Sequence, residues 1–323
     1  MDHNDIPTDR DRSVRPPSEA RSSSVSGRSE ASNDLETHSS QTSNNQNQED
    51  DDDDDDEDEE DDEDDVDSNG FTIREPAYTT QEIAAIVLDF YKFLTTLHYD
   101  PAHLKIPPPE GWPTLTPEVY SGFNKSEYVY DLLRHLPYFD RSAGSVGFHY
   151  KSALIDFTTY TPENFVEENE FEDIMEFSSV EGLANPKHFF RISEGHESGG
   201  REMWLNAKDG EITEDIIRMD QCDPEDIQEY FEGFKEQYRK LELLPGPGMV
   251  TQETDRVPEC DDRITEEQVL SQEDDWRTDL DIQFMRQLYR DFGWPENFRR
   301  EECWEEVYRL SGKRDVLWEG MCF

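Results

Sequence analysis

His188-Phe-Phe-Arg-Ile-Ser193, Glu194-Gly-His-Glu-Ser-Gly-Gly200, Arg201-Glu-Met-Trp-Leu-Asn206, Ala207-Lys-Asp-Gly210 and Glu211-Ile-Thr213 follow one another without interruption. Short aromatic and branched runs bounded by Gly, Asn and Asp suit a pleated, half-buried ribbon, because glycine takes the positive-φ positions of tight turns at no steric cost. The stretch therefore predicts an antiparallel meander of at least two hairpins. Asp223-Pro-Glu-Asp226 then predicts a helix start, with Asp223 as the cap, Pro224 at the first helical position and carboxylates at the positive end of the macrodipole. Ile227, Tyr230, Phe231, Phe234, Tyr238 and Leu241 recur at helical spacing, with Glu229, Glu232, Glu236 and Lys240 between them. The expected core is this apolar stripe laid on the apolar side of the Trp204 ribbon. Leu243-Leu-Pro-Gly-Pro-Gly248 is expected to stop the helix.

Working outward toward the amino end, Thr79 or Thr80 can cap a helix whose apolar face is Ile83, Ile86, Val87, Phe90, Phe93, Leu94 and Leu97. Ile106-Pro-Pro-Pro-Glu-Gly-Trp-Pro113 reads as a packing strap. Thr116-Pro-Glu118 is expected to open a second helical region, and Ser126 to cap a third through Leu136. Val146 to Tyr150 and Ala153 to Phe157 read as strands, the latter joining the central sheet. Thr158 to Glu172 reads as loop, and Asp173 to Phe177 is too short to assign.

Toward the carboxyl end, residues 249–263 read as a polar linker, followed by a helical extension over 264–323. Ile264 to Leu270 predicts a turn or two of helix. Ser271 is expected to cap a run through Trp276, Leu280, Phe284, Leu288 and Phe292, and a shorter helix follows from about Asn297. This apolar pair must be covered, either by the same chain or by another.

Composition divides the chain. Residues 1–70 contain none of the 18 Phe, 13 Tyr and 6 Trp, and they hold 26 acidic against 5 basic residues. A segment with so little to bury cannot offset its backbone entropy and is expected to be disordered. Glu49 to Asp65 is an unbroken acidic run, fit either to solubilise or to attract histones or other basic proteins. Arg15-Pro-Pro-Ser18 and Arg21-Ser-Ser-Ser24 match basophilic-kinase sites. The formal net charge of −49 disfavours nucleic acid and anionic membrane as partners. Met1-Asp-His-Asn-Asp lacks a secretory pattern, no apolar run of spanning length occurs, and four dispersed cysteines fit a reducing compartment. A cytoplasmic or nuclear location is expected.

Catalytic patterns fail on inspection. Glu194-Gly-His-Glu-Ser-Gly-Gly200 gathers His196, Glu197 and Ser198 beside Gly199 and Gly200, but it lacks the glycine spacing of a nucleophile elbow. Asn206-Ala-Lys-Asp-Gly210 lacks the ligands of a calcium loop, and histidines 98, 103, 135, 149 and 188 show no metal spacing. They read as packed or solvated side chains. No cofactor and no catalytic residue is expected. Glu194, His196, Glu197, Ser198, Gly199 and Gly200 form the candidate partner-contact loop.

A strand, a Gly-rich turn at Gly199 and Gly200, a Trp204-Leu205 strand, Asp209-Gly210, a further strand and a helix carrying Phe231 and Phe234 resemble the later half of the SUKH superfamily of fungal cell-wall-synthesis regulators and bacterial toxin-immunity proteins. The resemblance covers roughly residues 186–241, with an echo at Leu136-Pro137. It implies an α+β binding domain over 71–248 without catalysis, hence a protein-interaction or regulatory module. The rival expectations are an acidic-tail chaperone for histones or other basic proteins and a hydrolase or transferase whose site the sequence does not disclose.

Overall fold

The structure is a computed structural model, and it describes residues 66–97, 99–140, 147–172, 178–179, 182–246, 250–273, 278–311 and 313. The acidic run, the two kinase-type motifs, Asp173 to Phe177 and Trp276 lie outside those residues. Along the chain come α1 (Thr80–Leu97), β1 (Leu104–Lys105), α2 (Glu127–His135), β2 (Tyr138–Phe139), β3 (Ser152–Leu154), α3 (Pro162–Glu172), β4 (Ser178–Ser179), β5 (Gly182–Leu183) and β6 (Phe189–Gly195). After them come β7 (Arg201–Asn206), β8 (Glu211–Ile216), β9 (Glu225–Asp226), α4 (Ile227–Lys240), β10 (Leu243–Gly246), β11 (Val250–Glu253), α5 (Glu266–Leu270), α6 (Asp279–Asp291) and α7 (Arg300–Ser311). The class is α+β, with antiparallel sheets throughout.

The meander is the central sheet, in the order β3-β6-β7-β8-β9. Its register sets the two faces. Met203 lies opposite Glu214 and Leu205 opposite Ile212, so these four share one face, whereas Trp204 lies opposite Thr213 on the other. Helix α4 covers the first face. Phe231 stacks on Phe90 of α1 with ring centroids 4.6 Å apart, and Phe234 meets Phe90 edge-on at 5.8 Å, so α1, α4 and the sheet share one core.

Helix α4 thus lies on the ribbon as expected, while Trp204 itself points away from it. Its ring is fully buried on the opposite face with Phe189 and Ala184, under the Arg191 guanidinium, which lies 5.8 Å from the ring centroid. Strand β7 is buried on both faces, and a strand so placed carries no alternation that would tell one face from the other.

Helix α4 starts later than expected. Its cap is Asp226, whose side chain accepts from the amides of Gln228 and Glu229 at 2.9 and 3.1 Å. Glu225 and Asp226 extend the sheet instead, pairing with Ile212 and Glu211. That pairing satisfies backbone groups which a helix start at Asp223 would leave open. The stretch after the helix also differs. Leu243–Gly246 and Val250–Glu253 pair as a hairpin, so part of the expected linker is strand. Four backbone pairings with Leu243–Gly246 hold the polar sequence of β11 extended.

Residues 158–172, read as loop, contain α3. Thr161 and Asn164 cap it reciprocally, and Phe165 anchors it with no exposed surface. With so few apolar residues in the helix, the periodicity was faint. The segment after Thr116 forms only turns, and within 147–150 a single bridge, His149 to Ser152, replaces the expected strand. Ser126 caps α2 as expected, and the strap hangs on it through Trp112 Nε1, which donates to Leu136 O at 2.8 Å.

The C-terminal helices dock on the same chain. Helix α6 is capped by Thr278 and Asp281 rather than Ser271, and α7 begins at Arg300 rather than near Asn297. Arg286 of α6 is buried and donates to Leu241 O (3.2 Å), Val257 O (2.8 Å), Thr254 O (2.6 Å) and Thr254 Oγ1 (3.2 Å). Trp294 Nε1 donates to Tyr238 O at 2.9 Å, and Arg300 Nη1 to Tyr99 O at 2.8 Å. Among the described residues no helix is long and apolar enough to cross a membrane.

Candidate functional site

Where β7, β8 and α4 meet the β10–β11 hairpin, a cavity of about 410 Å³ opens to solvent. Strand alternation points Arg201 and Glu214 to the α4 side, α4 supplies Tyr230, Gly233 and Phe234, and the hairpin supplies Leu243 and Glu253. His149 enters from the segment ahead of β3 and is almost completely buried, with its ring 4.7 Å from that of Phe234.

The polar groups of the cavity wall bind one another. The Tyr150 amide donates to His149 Nδ1 at 2.8 Å, which places the imidazole proton on Nε2, 3.4 Å from Glu214 Oε1. The Tyr230 hydroxyl donates to the same carboxylate oxygen. Arg201 donates to Glu253 Oε1 through Nε at 3.0 Å and Nη2 at 2.8 Å. Burial alone would push the Glu214 carboxyl up, but the hydrogen bonds from His149 and Tyr230 and the positive charge of Arg201 prevail and hold it at about 2. The Tyr230 phenol moves far up, through burial first and then the neighbouring Glu214 charge.

The expected contact loop adjoins this cavity. Gly200 leads directly into Arg201, and a β-carbon at Gly200 would lie 2.9 Å from the carbonyl of Lys151, two residues beyond His149. The loop is closed by His196 N donating to Lys151 O at 2.8 Å and Gly199 N donating to Ile217 O at 3.0 Å. Glu197 and Ser198 are exposed at its tip, and Glu197 pairs with Lys151 Nζ at 3.0 Å. Glu194 and His196 are half-buried.

The residues on which the expected resemblance rests take architectural positions. Leu205, Phe231 and Phe234 are core, and Trp204 fills the far face. Asp209 accepts from Arg74 Nε at 2.9 Å and from Asn206 Nδ2 at 2.6 Å. Gly210 has φ +69° and faces the ring of Tyr78.

Arg201, Glu214 and Glu253 escaped the sequence reading, and His149 was read only as a packed or solvated side chain, of which it is the packed kind. They stand far apart in the chain and follow no motif. The available signal was weak: Arg201 and Glu214 fall on the apolar face of a meander, where a charge needs a partner. Among the described residues no group of three or more His, Cys, Asp or Glu side chains could hold a metal ion, and the described cysteines Cys222, Cys260 and Cys303 are free thiols. No protein-family model, curated protein or solved structure matches the chain.

Proposed function

We propose that the chain is a non-enzymatic protein-interaction module of the SUKH type, acting in the cytosol or nucleus, with the cavity mouth and the Glu194–Gly200 loop as its contact surface. The observation that carries this reading is the mutual saturation of the buried network. A general base needs an open lone pair within reach of a substrate, and a nucleophile needs such a base beside it. His149 uses Nδ1 on the Tyr150 amide and turns Nε2 to Glu214, while Tyr230 and Arg201 are spent on Glu214 and Glu253. Groups so engaged hold a wall rigid and suit recognition of a surface presented from outside. The Gly-rich turn, the Asp-Gly turn and the paired aromatics of α4 are the parts that the resemblance implies, and they support the same reading.

The test is affinity capture with the full chain as bait, compared with a variant in which Glu197 and Ser198 are both replaced by alanine. A specific protein retained by the first and weakened at least tenfold with the second is expected. Failure to enrich any specific protein overturns the reading. A second reading rests on the acidic run from Glu49 to Asp65: binding of histones or other basic proteins. In that case a peptide of this run on an inert carrier captures the same proteins, and raised salt releases them.

A further inference from the structure

Gly233 occupies the middle of α4, where glycine costs about 1 kcal/mol relative to alanine. No packing requires it: its φ is ordinary, and an added β-carbon would meet nothing within 4 Å. The open space it leaves belongs to the cavity. A residue that gives up helix stability without relieving a clash is accounted for by what must enter the space beside it.

The chemistry of the walls describes that entrant. Ile212, Phe234 and Leu243 provide an apolar lining. Asp223, Glu225, Glu242 and Asp255 stand around the opening, and no ion pair engages any of them among the described residues; Arg256 lines the same opening, and the buried Arg286 acts on Glu242 and Asp255 through space. The inner carboxylates Glu214 and Glu253 are already engaged by His149 and Arg201, so the excess of negative charge lies at the mouth. Glu225 reports it: burial pushes its carboxyl up, and the charges of Glu229, Glu214 and Asp226 add to the rise.

We propose that this cavity receives the side chain of an arginine presented by a protein partner, with its methylene stem along Ile212, Phe234 and Leu243 and its guanidinium between the carboxylates of the mouth. The inference rests on the interaction reading above and names the chemistry of the partner. Arginine fits better than lysine because carboxylates approach from two sides, Glu225 from the sheet edge and Glu242 and Asp255 from the hairpin. A planar fork with five donors can bridge such a pair, whereas an ammonium meets one at a time. The stem of either side chain would be covered by the apolar wall.

The experiment is a methyl NMR titration of the full chain with N-acetyl-arginine amide, followed at Ile212 and Leu243. N-acetyl-citrulline amide serves as the neutral isostere and N-acetyl-lysine amide as the second cation. Saturable shifts are expected with arginine, at least fivefold weaker affinity with lysine, and none with citrulline. Gly233→Leu should weaken arginine binding at least tenfold while the thermal midpoint stays level or rises. The pair Glu225→Gln and Asp255→Asn should weaken it similarly from the other side. Equal response to citrulline, unaltered binding by both variants, or no shift at Ile212 and Leu243 overturns the proposal. If a captured protein partner binds Gly233→Leu as tightly as the parent chain, the arginine site falls and the interaction reading stands; if no partner is captured while arginine still titrates these methyls, the reverse holds.

Discussion

The ring of Tyr78 lies against Gly210 so closely that a β-carbon at 210 would stand 2.3 Å from Tyr78 Cδ2, while the Tyr78 hydroxyl donates to Asp226 at 2.6 Å. One aromatic side chain ahead of α1 thus fixes both the Asp-Gly turn of the meander and the cap of α4. Gly210→Ala is expected to destabilise the fold by about 2–4 kcal/mol, since it combines a strained positive φ with overpacking. Urea unfolding measures it. Adding Tyr78→Ala to that variant should recover part of the loss relative to the sum of the two single changes, because the clash is with the ring.

Arg286 is the clamp of the C-terminal helices. Arg286→Met removes donors from three backbone carbonyls at once and is expected to cost about 3–5 kcal/mol. Arg286→Lys should rescue little, because an ammonium cannot reproduce the fork. Limited proteolysis should find new cleavage between residues 254 and 263 in both variants, and resistance there in Arg286→Met would count against the clamp.

Stability in acid should depend on Glu214. Its carboxyl lies at about 2 in the fold against an ordinary value of 4.5, so it binds its proton more readily in the unfolded chain. The stabilisation is complete above about pH 4.5 and is lost as pH falls toward 2, and it amounts to something on the order of 3 kcal/mol. In urea titrations at successive pH values, Glu214→Gln should be less stable than the parent at neutral pH and should lose less on acidification over that window. Parallel curves would show that the carboxylate is not held as described.

The far face of the sheet offers a second pH-dependent prediction. Arg191 pairs with Glu168 at 2.7 Å and Glu202 at 3.2 Å, and all three are largely buried. Arg191→Met leaves two carboxylates facing each other, at an expected cost of about 3–5 kcal/mol at neutral pH. Burial already pushes the Glu202 carboxyl up against the lowering effect of Arg191. Without the guanidinium the Glu202 carboxyl should rise further, so the deficit should shrink as pH falls. A deficit that is constant with pH would rule out the carboxylate pair as its source.

The contrast between what could be read in the sequence and what could not follows the range of the forces involved. The meander and α4 were legible because turn glycines and a helical stripe of Phe231, Phe234 and Tyr238 act within a few residues. The direction in which Trp204 points was not, since both faces of β7 are buried and only the helices decide which is which. Helix α3 was missed because Phe165 is its one fully buried apolar anchor among the described side chains, and most of its other residues are polar. The cavity groups were invisible for another reason: His149, Arg201, Glu214 and Glu253 acquire meaning only when three elements converge, and no spacing along the chain encodes that. The turn over residues 194–200 was legible as a loop, yet the cavity beside it, with a lone helical glycine in its wall, was not.

The hydrogen bond from Arg300 to the carbonyl of Tyr99 links positions 201 residues apart. During synthesis the segment just after α1 must wait for this partner until Arg300 has left the ribosome. Contacts of such long sequence separation slow the final assembly and lengthen exposure to chaperones. A stop codon placed before α6 should consequently yield an aggregation-prone fragment rather than a shorter working protein.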